Sequence, residues 1–428
     1  MDYAQPISAT NNITIGLAMF RPQNPKAMDI RGTWSSNPLN VSLDIVGPLL
    51  GYYPAPNNRS EFDTYLATAT TMWQSWANLS TPVGILDHVG TREVVQDYDG
   101  IRAALGYGKV HFLGASYGSY RAAQYASTFP ERVGHFALDA VVPHGFSIEE
   151  QVKGDILAVN RGLDRADAYC QNNATCYWHH AGRGSVQKAW LDLLARAANG
   201  TLAACDTPAN CTSFIPKWDL QATLSGLLQG QPDFPQLLEL LAATYMGNGT
   251  ALASNSPLTI DQVWGLPILC NDKPILDKSY SGFQKAAKAG KSVDRYNIYQ
   301  SSWLGIELIG SVWPYPVPAD KPSVLNATML LVTADFDVSQ ATEKTTFLWD
   351  TQTPHAALVV RHGEDHVSFN EPTQASTRIT KDFLRTGVLP LPEDNTFVRV
   401  YEPGQPRGPI ADPYCVPTGF QAGDVDSS

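Results

Sequence analysis

The five residues Gly114-Ala115-Ser116-Tyr117-Gly118 constrain this chain more than any other stretch. Before them runs Val110-His111-Phe112-Leu113, a short apolar segment that reads as a buried strand. After them a helix is expected from Tyr120 to about Ser127, and then a second strand over His135–Val142, reached through Phe129-Pro130-Glu131. Strand, helix and strand in that order form a βαβ unit. The expected fold class is therefore α/β, a mostly parallel sheet with helices on both faces. Upstream, Val94, Val95, Tyr98, Ile101 and Leu105 recur at helical steps, so Thr91 to Gly106 reads as a helix stopped by Gly106-Tyr107-Gly108. The G-x-S-x-G pattern between a strand and a helix marks a sharp, strained turn that exposes the serine hydroxyl above the sheet edge.

An exposed serine becomes a nucleophile only beside a base, and the base needs an acid to orient it. In this arrangement the three follow in the order Ser, Asp or Glu, His. Two later strands offer such groups just past their carboxyl ends, where sites form in open α/β sheets. Met329–Val332 runs into Thr333-Ala334-Asp335-Phe336-Asp337, and Ala356–Val360 runs into Arg361-His362-Gly363-Glu364-Asp365-His366. The acid is Asp337 or Asp335, and the base is His366 or His362. His88, His111 and His135 fall in regular patterns and read as packing residues, and His179-His180 reads as polar surface rather than a metal site.

Between roughly Pro143 and Pro318 the alternation stops and helical periods take over, as at Ala189–Ala198 and Leu220–Leu228. The expected organisation is a discontinuous core, residues 1–142 and 317–428, with a helical lid insertion at 143–316. The six cysteines include two equally spaced pairs, Cys170/Cys176 and Cys205/Cys211, read as two local disulfides. A long bridge from Cys270 to Cys415 is the expected third. No pair has the spacing of a structural zinc site, and no metal or cofactor is expected.

Nine of the 20 asparagines begin an Asn-x-Ser/Thr sequon, namely Asn12, Asn40, Asn58, Asn78, Asn173, Asn199, Asn210, Asn248 and Asn326. Chance gives about three, so the excess and the cysteines point to a secreted glycoprotein. Met1-Asp2-Tyr3-Ala4-Gln5-Pro6 has neither a charged n-region nor an apolar h-region, so either a leader is missing or none is used. The formal charge of −11, from 30 Lys+Arg against 41 Asp+Glu, repels phosphate backbones and argues against a nucleic-acid partner. No run of 18 apolar residues is present, so no membrane-spanning helix is expected.

The segment from Leu86 to Pro143 resembles α/β-hydrolases of the tripeptidyl-aminopeptidase and prolyl-aminopeptidase type. The likeness rests on His88-Val89-Gly90-Thr91, on Asp97-Tyr98-Asp99-Gly100-Ile101-Arg102-Ala103-Ala104-Leu105-Gly106, and on Gly114 to Ser119. Tyr125 to Val133 and Leu138-Asp139-Ala140-Val141-Val142 continue it, and Leu330 to Pro390 is similar too. The resemblance implies Ser116 as nucleophile, Asp337 as orienting acid and His366 as general base, with the Tyr117 N–H as half of an oxyanion hole. Cys270 resembles the family's cysteine after its lid. In one respect the chain departs from the family, which carries a Gly-rich oxyanion loop and a helix between two early strands. Here Gly32–Pro38 reads as the first of those strands and Leu43–Gly47 as the second, and only Pro38 to Ser42 lie between. A parallel crossover needs a dozen or more residues. The loop is expected to be absent, through an incomplete chain or through divergence, and the chain as written is expected to hydrolyse weakly at best or to use chemistry that does not pass through a tetrahedral oxyanion.

Three functions remain open at this point. The first is a serine hydrolase working through an acyl-enzyme on a short peptide with a free N-terminus, with Glu149, Glu150 and Asp155 as candidate ligands for the substrate ammonium. The second keeps the triad for an ester, lactone or other small molecule of a biosynthetic pathway, in an apolar pocket lined by Trp264, Phe283, Tyr296, Trp303 and Trp313. The third is an inactive hydrolase fold retained for binding.

Overall fold

The computed structural model describes residues 17–18, 27–49, 56–206, 211–253, 258–298, 301–322, 324–370 and 374–417. The chain opens with a two-strand antiparallel pair, β1 (Leu17–Ala18) and β2 (Ala27–Met28), and the single-turn helix α1 (Leu43–Val46). Two longer helices follow, α2 (Arg59–Leu79) and α3 (Thr91–Ala104). Then come β3 (Val110–Ala115), α4 (Tyr117–Thr128) and β4 (Val133–Asp139). The next stretch is helical: α5 (Ile148–Asn172), α6 (Ser185–Ala198), α7 (Lys217–Leu227), α8 (Phe234–Tyr245), α9 (Gly265–Asp272), α10 (Tyr280–Lys291) and α11 (Ser302–Ser311). The chain closes with β5 (Met329–Ala334), α12 (Thr342–Gln352), β6 (Ala356–Arg361), α13 (Ala375–Thr386), β7 (Glu393–Asp394) and β8 (Val398–Tyr401).

The chain divides into two compact units, and their boundaries differ from those expected at 142/143 and 316/317. The first comprises Met1–Gly108, Ser256–Lys285 and Ser302–Lys321; the second comprises Lys109–Asn255, Ala286–Ser301 and Pro322–Ser428. The first unit is built mainly from helices. Arg31 clasps Asp97 in a buried two-point ion pair at 2.6 and 2.7 Å. Asp272 on α9 accepts both the N–H and the hydroxyl of Thr91 at the start of α3. Neither early strand of the sequence reading forms. Gly32–Pro38 is a compact turn, closed by Gly32 N–H to Ser36 O at 2.8 Å, with positive φ at Gly32, Trp34 and Asn37. Leu43–Val46 is helical.

The second unit holds a six-stranded sheet in the order β3-β4-β5-β6-β8-β7. β3 through β6 run parallel, while β8 and β7 run antiparallel. β5 and β6 are buried at every position, as parallel strands covered on both faces are. Leu330, Val332, Ala357 and Val359 pack with Ile379 and Phe383 of α13. Among the described residues, no strand preceding β3 joins this sheet.

Helix α5 begins in a full capping box, Ser147 with Glu150, which satisfies backbone donors at both positions. Its buried stripe, including Val159, Leu163 and Ala166, packs on Trp190, Leu193, Leu224 and Leu237 of the neighbouring helices. Val338, in the loop after β5, joins the same cluster. That contact requires Gly162 on α5, because a Cβ there would lie 2.8 Å from Val338 Cγ2. Cys170–Cys176 and Cys205–Cys211 are disulfide-bonded, the two local pairs taken from among the fifteen pairings that sequence alone leaves open. The third expected bridge does not form: Cys270 is buried and Cys415 exposed, both as free thiols. No helix of the described residues is long and apolar enough to cross a membrane.

Candidate active site

Ser116 sits between β3 and α4 at φ 52°, ψ −125°, a conformation that side-chain-bearing residues rarely adopt. The turn is held on both sides. Ser116 N–H donates to Asp139 O at 2.9 Å, and Ser116 O accepts from Ser119 N–H at 2.9 Å and from the Ser119 hydroxyl. Of the two pattern glycines, space demands only the first. A Cβ on Gly114 would lie 2.8 Å from Gly118 O, whereas one on Gly118 would meet nothing within 4 Å. Tyr117 is the first residue of α4, and its ring stacks on Tyr120.

The parallel ladder of β5 and β6 continues past the strand ends. Asp335 N–H donates to Arg361 O and Phe336 N–H to Gly363 O, so the two following loops stay side by side. This brings together two of the expected site residues. His366 Nδ1 lies 2.8 Å from Asp337 Oδ2. The other oxygen of Asp337 accepts the N–H groups of Ser339 and Gln340 at 2.8 and 2.9 Å. A carboxylate only accepts, so the His366 proton in this pair belongs on Nδ1, leaving Nε2 with its lone pair. Burial pulls the His366 pKa down, but the hydrogen bond and charge of Asp337, with Asp139 beyond, outweigh it and hold the imidazole above its ordinary value.

The alternative residues form a pair of their own. His362 Nδ1 lies 2.7 Å from Asp335 Oδ2. Here Arg407 grips Asp335 Oδ1 at 2.5 Å, and Ala411 N–H approaches Oδ2, so this pair anchors the segment after β8.

The His366 loop is braced from below. Buried Arg361 donates to Asp365 O at 2.6 Å and to Ser368 Oγ at 3.1 Å. Val367, directly after His366, has φ 64°, which costs a β-branched residue more than most. Ala140, after β4, has φ 54°. Three of the six described non-glycine residues with positive φ (Ser116, Ala140 and Val367) thus sit around this one site, where strain is commonly held.

Two of the three candidate ammonium ligands have other work. Glu150 accepts the Ser147 N–H and hydroxyl in the capping box. Asp155 accepts from buried Lys344 at 3.0 Å and from the Ser301 hydroxyl at 2.8 Å. Glu149 is half-buried on the first turn of α5. The aromatic residues named for an apolar pocket are divided: Trp264, Phe283, Trp303 and Trp313 belong to the first unit, and Tyr296 to the second. His179 binds Cys170 O, and the described residues contain no cluster of three metal-ligating side chains. The sequence reading passed over Asp139, Arg361 and the ion pair of Arg165 with Glu364. A lone carboxylate within Phe136-Ala137-Leu138-Asp139-Ala140-Val141 was the available signal for the first.

Residues 49–178 match the family described as the alpha/beta hydrolase fold. The chain is 37% identical over 136 residues to the tripeptidyl aminopeptidase of Streptomyces lividans, a stretch covering 31% of this chain and 25% of that protein. It is 41% identical over 92 residues to the serine protease Hip1 of Mycobacterium tuberculosis, covering 21% of this chain and 18% of that one. The match to the first of these spans about a quarter of that relative's length. A solved epoxide hydrolase from Bacillus megaterium aligns at 13% identity and a TM-score of 0.31, over 72% of this chain and 80% of that one. The parallel sheet, the strand–turn–helix around Ser116 and the family match give the fold class as α/β-hydrolase.

Proposed function

We propose that this chain is a serine hydrolase in which Ser116 is the nucleophile, His366 the general base and Asp337 the orienting acid. The observation that carries the reading is the His366–Asp337 pair at 2.8 Å, on loops that the β5–β6 ladder keeps adjacent. The strained Ser116 turn supports it through its hydrogen bond to the end of the neighbouring strand β4. His366 Nε2 takes the Ser116 Oγ proton as the oxygen attacks a carbonyl carbon. The Tyr117 N–H supports the oxyanion, and Asp337 steadies the imidazolium. The imidazolium then protonates the leaving group, and water resolves the acyl-enzyme by the same route. The similarity to a tripeptidyl aminopeptidase and to a serine protease favours a short peptide substrate.

One observation favours a second substrate class. Asp155 is bound by Lys344 and Ser301, and Glu150 is used in a helix cap, so two of the three carboxylates proposed for an ammonium group are already engaged. Engagement of these two carboxylates favours an ester or lactone. Turnover of tripeptidyl arylamides and of aryl esters by the same preparation separates the two. Amide hydrolysis that depends on a free N-terminus upholds the peptidase reading, and ester hydrolysis alone replaces it with the second.

A further inference from the structure

Asp139, the last residue of β4, is wholly buried and has no part in the chemistry above. Its backbone carbonyl holds the Ser116 N–H at 2.9 Å. Its side-chain Oδ2 accepts the N–H of Phe369 at 2.8 Å, three residues beyond His366. The Ser368 N–H also stabilises the carboxylate, but Oδ1 itself makes no hydrogen bond of ordinary geometry among the described residues. A buried carboxylate with one oxygen short of a well-formed hydrogen bond is costly and calls for an explanation. The charged groups facing it are Arg361 at the end of β6 and Asp337 after β5. His366 in turn faces Asp337, Asp139 and, from α12, Lys344.

We infer that Asp139 is a positioning residue for the general base: it ties the His366 loop to the strand end that holds the Ser116 turn, and it sets a second negative charge beside the imidazole. The inference rests on the reading of His366 as base. Desolvation pushes the Asp139 carboxyl up to about 6, so its charge is present at neutral pH and is lost on mild acidification. While present, it favours the imidazolium that forms as Ser116 attacks.

The test uses the full chain and two nuclear magnetic resonance readouts that do not need turnover. In the wild-type protein the Phe369 amide should titrate with a midpoint near pH 6, following the carboxyl it donates to. In Asp139→Asn, which keeps an acceptor oxygen but no charge, the Phe369 titration should vanish and the His366 imidazole should titrate at lower pH than in wild type. An unchanged His366 midpoint in a folded Asp139→Asn chain overturns the inference, as does a Phe369 amide whose pH dependence is the same in wild type and variant. If that variant does not fold, the wild-type Phe369 titration decides alone. Loss of the serine-hydrolase reading shows differently, as absence of Ser116-dependent turnover with both titrations intact.

Discussion

Arg165 of α5 and Glu364 of the His366 loop form an ion pair buried to within 5% of full occlusion, with Arg165 Nε and Nη2 both donating to one oxygen of Glu364. The remaining guanidinium donors go to the carbonyls of Pro413, Val416 and Pro417, and the plane lies 4.8 Å from the Phe336 ring. One side chain therefore joins α5, the loop after β5, the loop after β6 and the segment after β8.

Removing one partner of such a pair strands the other charge, at a typical cost of about 3–5 kcal/mol. Arg165→Met should lose stability of that order in urea unfolding, and Arg165→Met with Glu364→Leu should regain much of it. A single variant as stable as wild type contradicts the role given to this pair.

The two histidine pairs should separate by what their loss does. His366→Ala should lower turnover by roughly 10²- to 10⁴-fold or more with the fold retained, as expected when a general base is removed. His362→Ala should leave turnover per folded molecule nearly unchanged while lowering the melting temperature, because it frees Asp335 and the segment that Arg407 and Ala411 dock. The reverse pattern would reassign the base to His362.

Protonation of His366 should shape the pH profile. The base works only when neutral, and its pKa is raised by Asp337 against the pull of burial. Activity should therefore fall as pH drops, with the acid limb of kcat/KM centred above the ordinary histidine value of about 6.5. A limb centred below that value contradicts the pairing.

Asp139 carries a stability consequence of opposite sign to most carboxylates. Its folded pKa of about 6 stands above the ordinary 3.8. Between those values the folded chain holds a proton that the unfolded chain has released, so stability falls as pH rises through this window and stays lower above it. A shift of about two units corresponds to about 3 kcal/mol. Asp139→Asn should then melt higher than wild type at pH 8, with the gap closing towards pH 4. Equal melting at pH 8 would show that burial does not penalise this charge.

Much of the second unit was legible because its strands are short apolar runs between turn residues. Val110–Leu113, Thr328–Val332 and Ala356–Val360 all appear as strands, each extended by one to two residues at its C-terminal end. In the first unit the helix expected from Thr91 to Gly106 forms as α3, but the two early strands do not. Gly32–Pro38 has the threonine and tryptophan of a strand, yet local hydrogen bonds and three positive φ values make it a turn. Leu43–Val46 is a four-residue run with three apolar side chains, too short for periodicity to separate strand from helix. Spacing also left Asp335 and Asp337 equivalent, since each finds a histidine. What distinguishes them is Arg407, whose approach to Asp335 spans 72 positions and leaves no trace in the local sequence.

The central claim is that Ser116 is a nucleophile activated by His366. Incubation of the folded chain with a fluorophosphonate, followed by peptide mass spectrometry, tests it most directly. The account predicts a covalent adduct on Ser116 that forms far more slowly in His366→Ala and is absent from Ser116→Ala. No adduct on the wild-type protein, or one that persists in Ser116→Ala, contradicts it.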